Sequence, residues 1–129
     1  MNLLLDTHIA IWAVEDNPRL SAAARAYLLD PAAKFFVSVA SLWEIAIKHA
    51  KHGVKEMPMS AKDALGFFQS CGFVILPVTP AQVLTLERLP RLHDDPFDRL
   101  IVATALSEPF RLITHDLRLG AYGPMVVLV

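Results

Sequence analysis

The chain has 129 residues, enough for one compact domain and too few for two of ordinary size. Its 54% apolar content, free of repeats or low-complexity stretches, supplies a buried core and excludes a disordered chain. Twelve basic and thirteen acidic side chains leave a formal charge of −1, so any nucleic-acid contact has to come from a local patch and not from an overall basic excess.

In chain order, "NLLL" at 2–5 reads as a short buried strand, and Asp6 then stands where it can cap the helix "THIAIWAVE". Ser21 caps "AAARAYLLD", which is rich in good helix formers and stops before Pro31. "FFVS" at 35–38 is a second strand. The helix after it runs from about 40 to 51, with Leu42, Ile45, Ala46 and His49 on one face. Ser60 caps a helix through Ser70, "FVIL" at 73–76 is a third strand, and Pro80 opens a helix through Arg88. "PFDRLIVATALS" is a helix beginning after Asp95. "RLIT" at 111–114 and "MVVLV" at 125–129 complete the strands, with "DLRLGAYG" as a turn segment between them.

Strands of four or five residues with little internal alternation suit a sheet covered on both faces. Their alternation with helices predicts a three-layer α/β/α sandwich around a mainly parallel sheet, one domain over 1–129. Cys71 has no cysteine partner and no basic neighbour, so it reads as a small core residue. The lack of a disulfide fits a cytoplasmic protein. "MNLLLDTH" lacks the charged start of a signal peptide. Glycines and prolines interrupt the uncharged stretch 64–86, so no membrane span is expected.

In such folds the chemistry gathers outside the carboxyl ends of the strands. Asp6 directly follows the first strand and Asp116 comes two residues after the fourth. Glu44 lies early in the helix after "FFVS", and Asp98 lies in the first turn of its helix. Each acid has a local explanation. Asp95 before Pro96 is a helix cap, Asp98 suits the helix dipole, Glu44 can pair with Lys48, and Asp6 and Asp116 can begin a helix and a turn. Together, four acids aimed at one sheet edge would repel unless a divalent cation sat among them, and oxygen ligands suit Mg²⁺ or Mn²⁺ rather than zinc.

"LLLDTH", "SVASLWE", "HDDPFDRLIVATA" and "LITHD", in that order and over nearly the whole chain, resemble the PIN-domain nucleases, and among them the VapC-type toxins of bacterial toxin–antitoxin pairs. The resemblance implies a PIN-like fold and a Mg²⁺-dependent endoribonuclease that cuts RNA with metal-activated water, leaving a 5′-phosphate and a 3′-hydroxyl. It assigns Asp6, Glu44, Asp98 and Asp116 as the catalytic, metal-binding cluster, with Asp6 and Asp98 the principal ligands. The approach of the last acid to the metal varies in the family. Homodimerisation and inhibition by a cognate antitoxin are further implications.

Around this cluster, the hydroxyls of Thr7 and Thr114 can orient ligands or cap local structure, and Arg99 can meet phosphate or an acid. Lys48, Lys51 and Lys55 lie with two histidines in "KHAKHGVK", either as a phosphate-tracking patch for RNA or as cations suited to a helix end. His8, His93 and His115 each adjoin an acid, as proton donors to a leaving group or as plain loop residues. Trp12 and Trp43 read as core or interface residues. A mean hydropathy of +0.42 agrees with burial against a partner, or with a generous core.

Three rival readings remain. A receiver-like signalling domain also binds Mg²⁺ at strand ends, but it needs an acidic pair after the first strand and a late lysine, and no lysine follows Lys62. A haloacid-dehalogenase-type phosphatase needs two alternating aspartates where this chain has "DTH". A catalytically silent PIN-like module that binds RNA or protein would retain the fold without the reaction.

Overall fold

The structure, a computed structural model, describes residues 1–129. The first strand, β1 (Asn2–Leu5), is followed by α1 (Thr7–Glu15) and α2 (Ala22–Leu28). Then come β2 (Lys34–Ser38), α3 (Val39–His52), α4 (Ala61–Ser70) and β3 (Val74–Leu76). The chain continues through α5 (Pro80–Arg88), α6 (Pro96–Ser107), β4 (Arg111–Thr114) and β5 (Val126–Leu128). Two short 3₁₀ turns, Gly53–Lys55 and Leu117–Tyr122, fill connections. Strand and helix positions follow the apolar runs and capping residues of the sequence. Ser21, Ser60 and Thr79 each accept a hydrogen bond from a backbone N–H three residues on, and Asp95 does so for α6.

All five strands are parallel, in the order β3-β2-β1-β4-β5. This is the expected three-layer α/β/α arrangement. Successive residues of β1 point to opposite faces. Leu3 and Leu5 pack with Ile9, Trp12, Ile45 and Phe68, whereas Leu4 packs with Ile101, Val102 and Phe110 of the other layer. Both faces of the central strand are therefore dry, which explains its unbroken leucines.

The chain winds outward from β1 in one direction to β3, then returns across the sheet to place β4 on the other side of β1. The crevice between the carboxyl ends of β1 and β4 is the topological switch point, where open α/β sheets bind ligands. A receiver-type sheet has the order 2-1-3-4-5, so the strand order removes that rival. No helix is long and apolar enough to cross a membrane.

Two local expectations are corrected. Cys71 is exposed at the end of α4, because the turn that follows carries it outward. On α3 the inward face carries Ser41, Glu44 and Ile45, and Ala46 is exposed. Polar residues hold that face, so hydropathy alone misplaces its phase.

Leu4 is wholly buried. Leu4→Ala is expected to lower unfolding free energy by about 2–5 kcal/mol through lost burial and a residual cavity. Leu29→Ala, at a position 80% exposed, should change it by less than about 0.5 kcal/mol. Urea unfolding of both variants beside wild type checks the contrast.

Candidate active site

Asp6 leaves the end of β1 in extended backbone and caps α1. Its Oδ1 accepts the Thr7 N–H at 2.8 Å, and its Oδ2 accepts the Thr114 hydroxyl at 2.6 Å. The Asp6 N–H in turn donates to the Ile113 carbonyl at 3.0 Å, so the end of β1 is tied to β4. Thr114 also takes the Asp116 N–H at 3.1 Å. One hydroxyl thus links the acid after β1 to the acid after β4.

Glu44, 2% exposed, reaches the same edge from α3. Its Oε1 lies 2.7 Å from the Thr7 hydroxyl, which is also 2.8 Å from the Ser41 hydroxyl. Thr7 has a single hydroxyl proton. It is donated to the Glu44 oxygen, and the Ser41 hydroxyl donates to Thr7 in turn. The other carboxylate oxygen of Glu44 accepts the Lys48 ammonium at 2.5 Å.

Asp98 is positioned by the start of α6. The Asp95 carboxylate accepts the N–H groups of Phe97 and Asp98 at 2.9 and 3.1 Å, and Pro96 occupies the first helical position, where no N–H is needed. Asp95 is thus the cap, as its local context suggested, and it leaves Asp98 projecting from the first turn. Asp116 is gripped by Arg118, whose Nε and Nη2 donate to its two oxygens at 3.0 and 2.9 Å.

The four acids line one cleft of about 460 Å³, shared with His8, Lys48, Asp95, His115 and Arg118. Burial and then the charges of Asp6, Asp95, Glu44 and Asp116 push the Asp98 carboxyl up to about 8. Burial also raises Asp6, against the hydrogen bonds from Thr114 and Thr7. Asp116 moves the other way, to about 2, held down chiefly by the hydrogen bonds of Arg118. Burial works to lower Lys48, but the hydrogen bond and charge of Glu44 outweigh it and raise that group.

Asp98 is the member of the cluster with no hydrogen-bond donor of its own. The nearest nitrogen is His93 Nε2, 3.4 Å away and equally far from Asp116. Carboxylate oxygens of Asp98 and Asp116 and this nitrogen lie within 4.8 Å of one another. Crowded hard oxygen donors with surplus negative charge fit a divalent cation, because one such ion offsets both the burial and the repulsion that raise Asp98.

Residues 3–123 match the family described as the PIN domain. The chain is also 32% identical over 123 residues to ribonuclease VapC22 of Mycobacterium tuberculosis, an alignment covering 93% of this chain and 91% of that one. It belongs to the PIN-domain family. Solved structures agree on the fold. A VapBC2 complex from Rickettsia felis bound to a promoter DNA fragment superposes with a TM-score of 0.72 at 21% identity, covering 100% of this chain and 98% of that one. A toxin–antitoxin complex from Klebsiella pneumoniae gives 0.63 at 23% identity, with 97% and 95% covered. VapBC-1 from nontypeable Haemophilus influenzae gives 0.60 at 20%, with 92% and 89% covered.

Within this PIN domain, the structure brings Asp6, Glu44, Asp98 and Asp116 together, and Thr7 and Thr114 hydrogen-bond the first two. Lys48 also faces the cleft. Arg99 does not. Its guanidinium donates to the carbonyls of Pro90 and Leu86 at 3.4 Å, in an adjoining cavity, because its place on α6 turns it toward α5. Lys51 is exposed near the end of α3, and Lys55 lines a separate groove with His8 and Trp12. Trp12 is buried, its ring edge-on to His115 at 4.7 Å, whereas Trp43 is 55% exposed against Phe97. Sequence reading missed Ser41 and Arg118. Ser41 stands three residues before Glu44 and so shares its helix face, a signal available in "SVASLWE". Arg118 follows Asp116 by two residues, a spacing with no regular meaning outside its 3₁₀ turn.

The raised Asp98 pKa carries a stability consequence. The folded chain keeps a proton up to about pH 8 that the unfolded chain releases near pH 4, so folding stability falls as pH rises across that window. In EDTA, wild type is expected to lose more denaturant resistance between pH 5 and pH 8 than Asp98→Asn, and the variant should melt about 4 °C or more above wild type at pH 8. Parallel pH dependences for the two proteins, measured by thermal and urea unfolding, would contradict this.

Proposed function

We propose that this protein is a divalent-cation-dependent endoribonuclease and the toxin of a toxin–antitoxin pair, restrained by a cognate antitoxin. One observation carries the reading: acids from four separated segments open into one cleft at the switch point, and Asp98 has no cation hydrogen-bonded to it there. The similarity to a ribonuclease over nearly the full chain supports RNA as the substrate. Similar folds described in toxin–antitoxin and VapBC complexes support the antitoxin.

Mg²⁺ is the cation this oxygen-rich set suits best, with Mn²⁺ able to replace it. Bound there, such an ion supplies charge to polarise a phosphoryl oxygen and to acidify a water. Asp6 and Asp98 hold it. The Thr7 N–H and the Thr114 hydroxyl fix the Asp6 carboxylate in one orientation, and the Thr7 hydroxyl does the same for Glu44. Glu44 and Asp116 complete the negative wall and orient water. Lys48 and Arg118, already in the cleft, face the phosphates of an RNA strand crossing it. Cleavage leaves a 5′-phosphate and a 3′-hydroxyl. Val39, Trp43 and Ile47 stand four residues apart on α3, each more than a third exposed, and this apolar stripe supports a homodimer. The protein acts in the cytoplasm.

Asp6→Asn and Asp98→Asn should each lower Mg²⁺-dependent RNA cleavage more than about 100-fold while circular dichroism shows a folded protein. EDTA should abolish wild-type cleavage and Mg²⁺ restore it. Full activity in either folded variant removes that residue from the ligand set. Sequencing RNA ends after brief expression, beside the Asp6→Asn control, identifies the RNA cut.

A further inference from the structure

We propose that His93 is a positioning residue, whose ring, anchored at Nδ1, sets Nε2 against the carboxylates of Asp98 and Asp116 and holds them facing each other for the cation. This rests on the nuclease reading above. His93 lies in the loop between α5 and α6, where Arg91, Leu92 and Asp94 are exposed, yet it is only 8% exposed. A polar ring turned inward from an exposed loop needs partners for both nitrogens.

Both partners are present. The Asp95 backbone N–H lies 3.0 Å from Nδ1 and can only donate, so Nδ1 is the acceptor. The ring proton then sits on Nε2. Nε2 donates to an oxygen of Asp116 at 3.4 Å and stands 3.4 Å from an oxygen of Asp98, so one N–H lies against both acids while bonding the first. The same geometry argues against His93 as a metal ligand, despite its place beside the two acids. A nitrogen carrying a proton has no lone pair to offer, and moving that proton to Nδ1 would set it against the Asp95 N–H.

The loop and the helix start thus form one unit. Asp95 donates its N–H to His93 and accepts the N–H of Asp98, so the ring and the carboxylate it faces are placed by the same residue. Asp116 is held from the other side by Arg118. His93 therefore stands against Asp98 while bonding Asp116, and so couples Asp98 to an acid from another strand end.

Two substitutions separate the roles of the two nitrogens. His93→Asn keeps an acceptor near Nδ1 and removes the donor, whereas His93→Gln can place an amide N–H near Nε2. Mg²⁺ binding is read by calorimetry on the full chain, and the proton position by nitrogen–carbon correlation spectra of ¹⁵N-labelled protein at pH 7.5. Wild type should show a protonated Nε2 and an unprotonated Nδ1, unchanged by saturating Mg²⁺. His93→Asn should bind Mg²⁺ roughly 10-fold or more weakly at unchanged melting temperature, and His93→Gln should recover at least half of that loss on a logarithmic scale. A proton on Nδ1, a doubly protonated ring, or loss of the Nε2 proton on adding Mg²⁺ overturns the proposal. So does wild-type affinity in His93→Asn, or no recovery in His93→Gln. If wild type binds no Mg²⁺ at all, the nuclease reading fails and the positioning role with it; a wrong proton position with intact Mg²⁺ binding overturns the positioning role alone.

Discussion

Asp98 faces Asp6, Asp95, Glu44 and Asp116 across a cleft that partly excludes water, and each of those charges raises the energy of its own. Two like charges about 5 Å apart repel by about 3 kcal/mol at an effective dielectric near 20. Left to relax, such side chains would separate. They do not, because the backbone that carries them is fixed by apolar packing elsewhere. Leu3, Leu4 and Leu5 are buried on both faces of β1, and each such side chain contributes about 1.5–3 kcal/mol. The leucines that make β1 the central strand also determine where Asp6 emerges.

The switch point converts that packing into a site. β1 and β4 are neighbours although more than a hundred residues separate them, so the residues following each strand meet. The link is made by hydroxyl groups, which bond carboxylates without cancelling their charge. Thr114 holds Asp6 and accepts the Asp116 N–H, and Thr7 holds Glu44. A lysine or arginine in either place would have neutralised the cleft. Where the structure does use cations, each is committed to one acid: Lys48 to Glu44 and Arg118 to Asp116. The remaining acid, Asp98, has no hydrogen-bonded partner and keeps an elevated pKa. The family and this distribution of charge are both compatible with a divalent cation among the acids.

Much of the architecture was legible from local pattern. The strands at 2–5 and 111–114 and the helices at 61–70, 80–88 and 96–107 fall where their apolar runs and capping residues place them. These features act over a few residues, so they survive without tertiary information. The acids at the ends of β1 and β4 were legible for the same reason, since a strand's end locates the residue after it. Local pattern failed where a residue's partner lay elsewhere in the chain. Cys71 reads as core among phenylalanines, yet the turn after α4 exposes it. Ala46 reads as inward on α3, but the inward face belongs to Glu44 and Ser41, whose partner Thr7 lies on α1. Arg99 adjoins Asp98 in sequence, but a helix sends successive side chains in different directions.

The amino-acid order by itself therefore determined the elements, their alternation, the parallel three-layer class and the identity of four acids placed near strand or helix ends. Hydrogen-bonded periodicity and capping are short-range, and a linear pattern expresses them fully. Tertiary structure alone decided which strands are neighbours, and hence that Asp6 meets Asp116 and that Thr114 bridges them. It also decided which acid has no hydrogen-bonded cation and that His93 turns inward between two of the acids. Those outcomes depend on distances between residues far apart in the chain, set when the two faces of the sheet are packed.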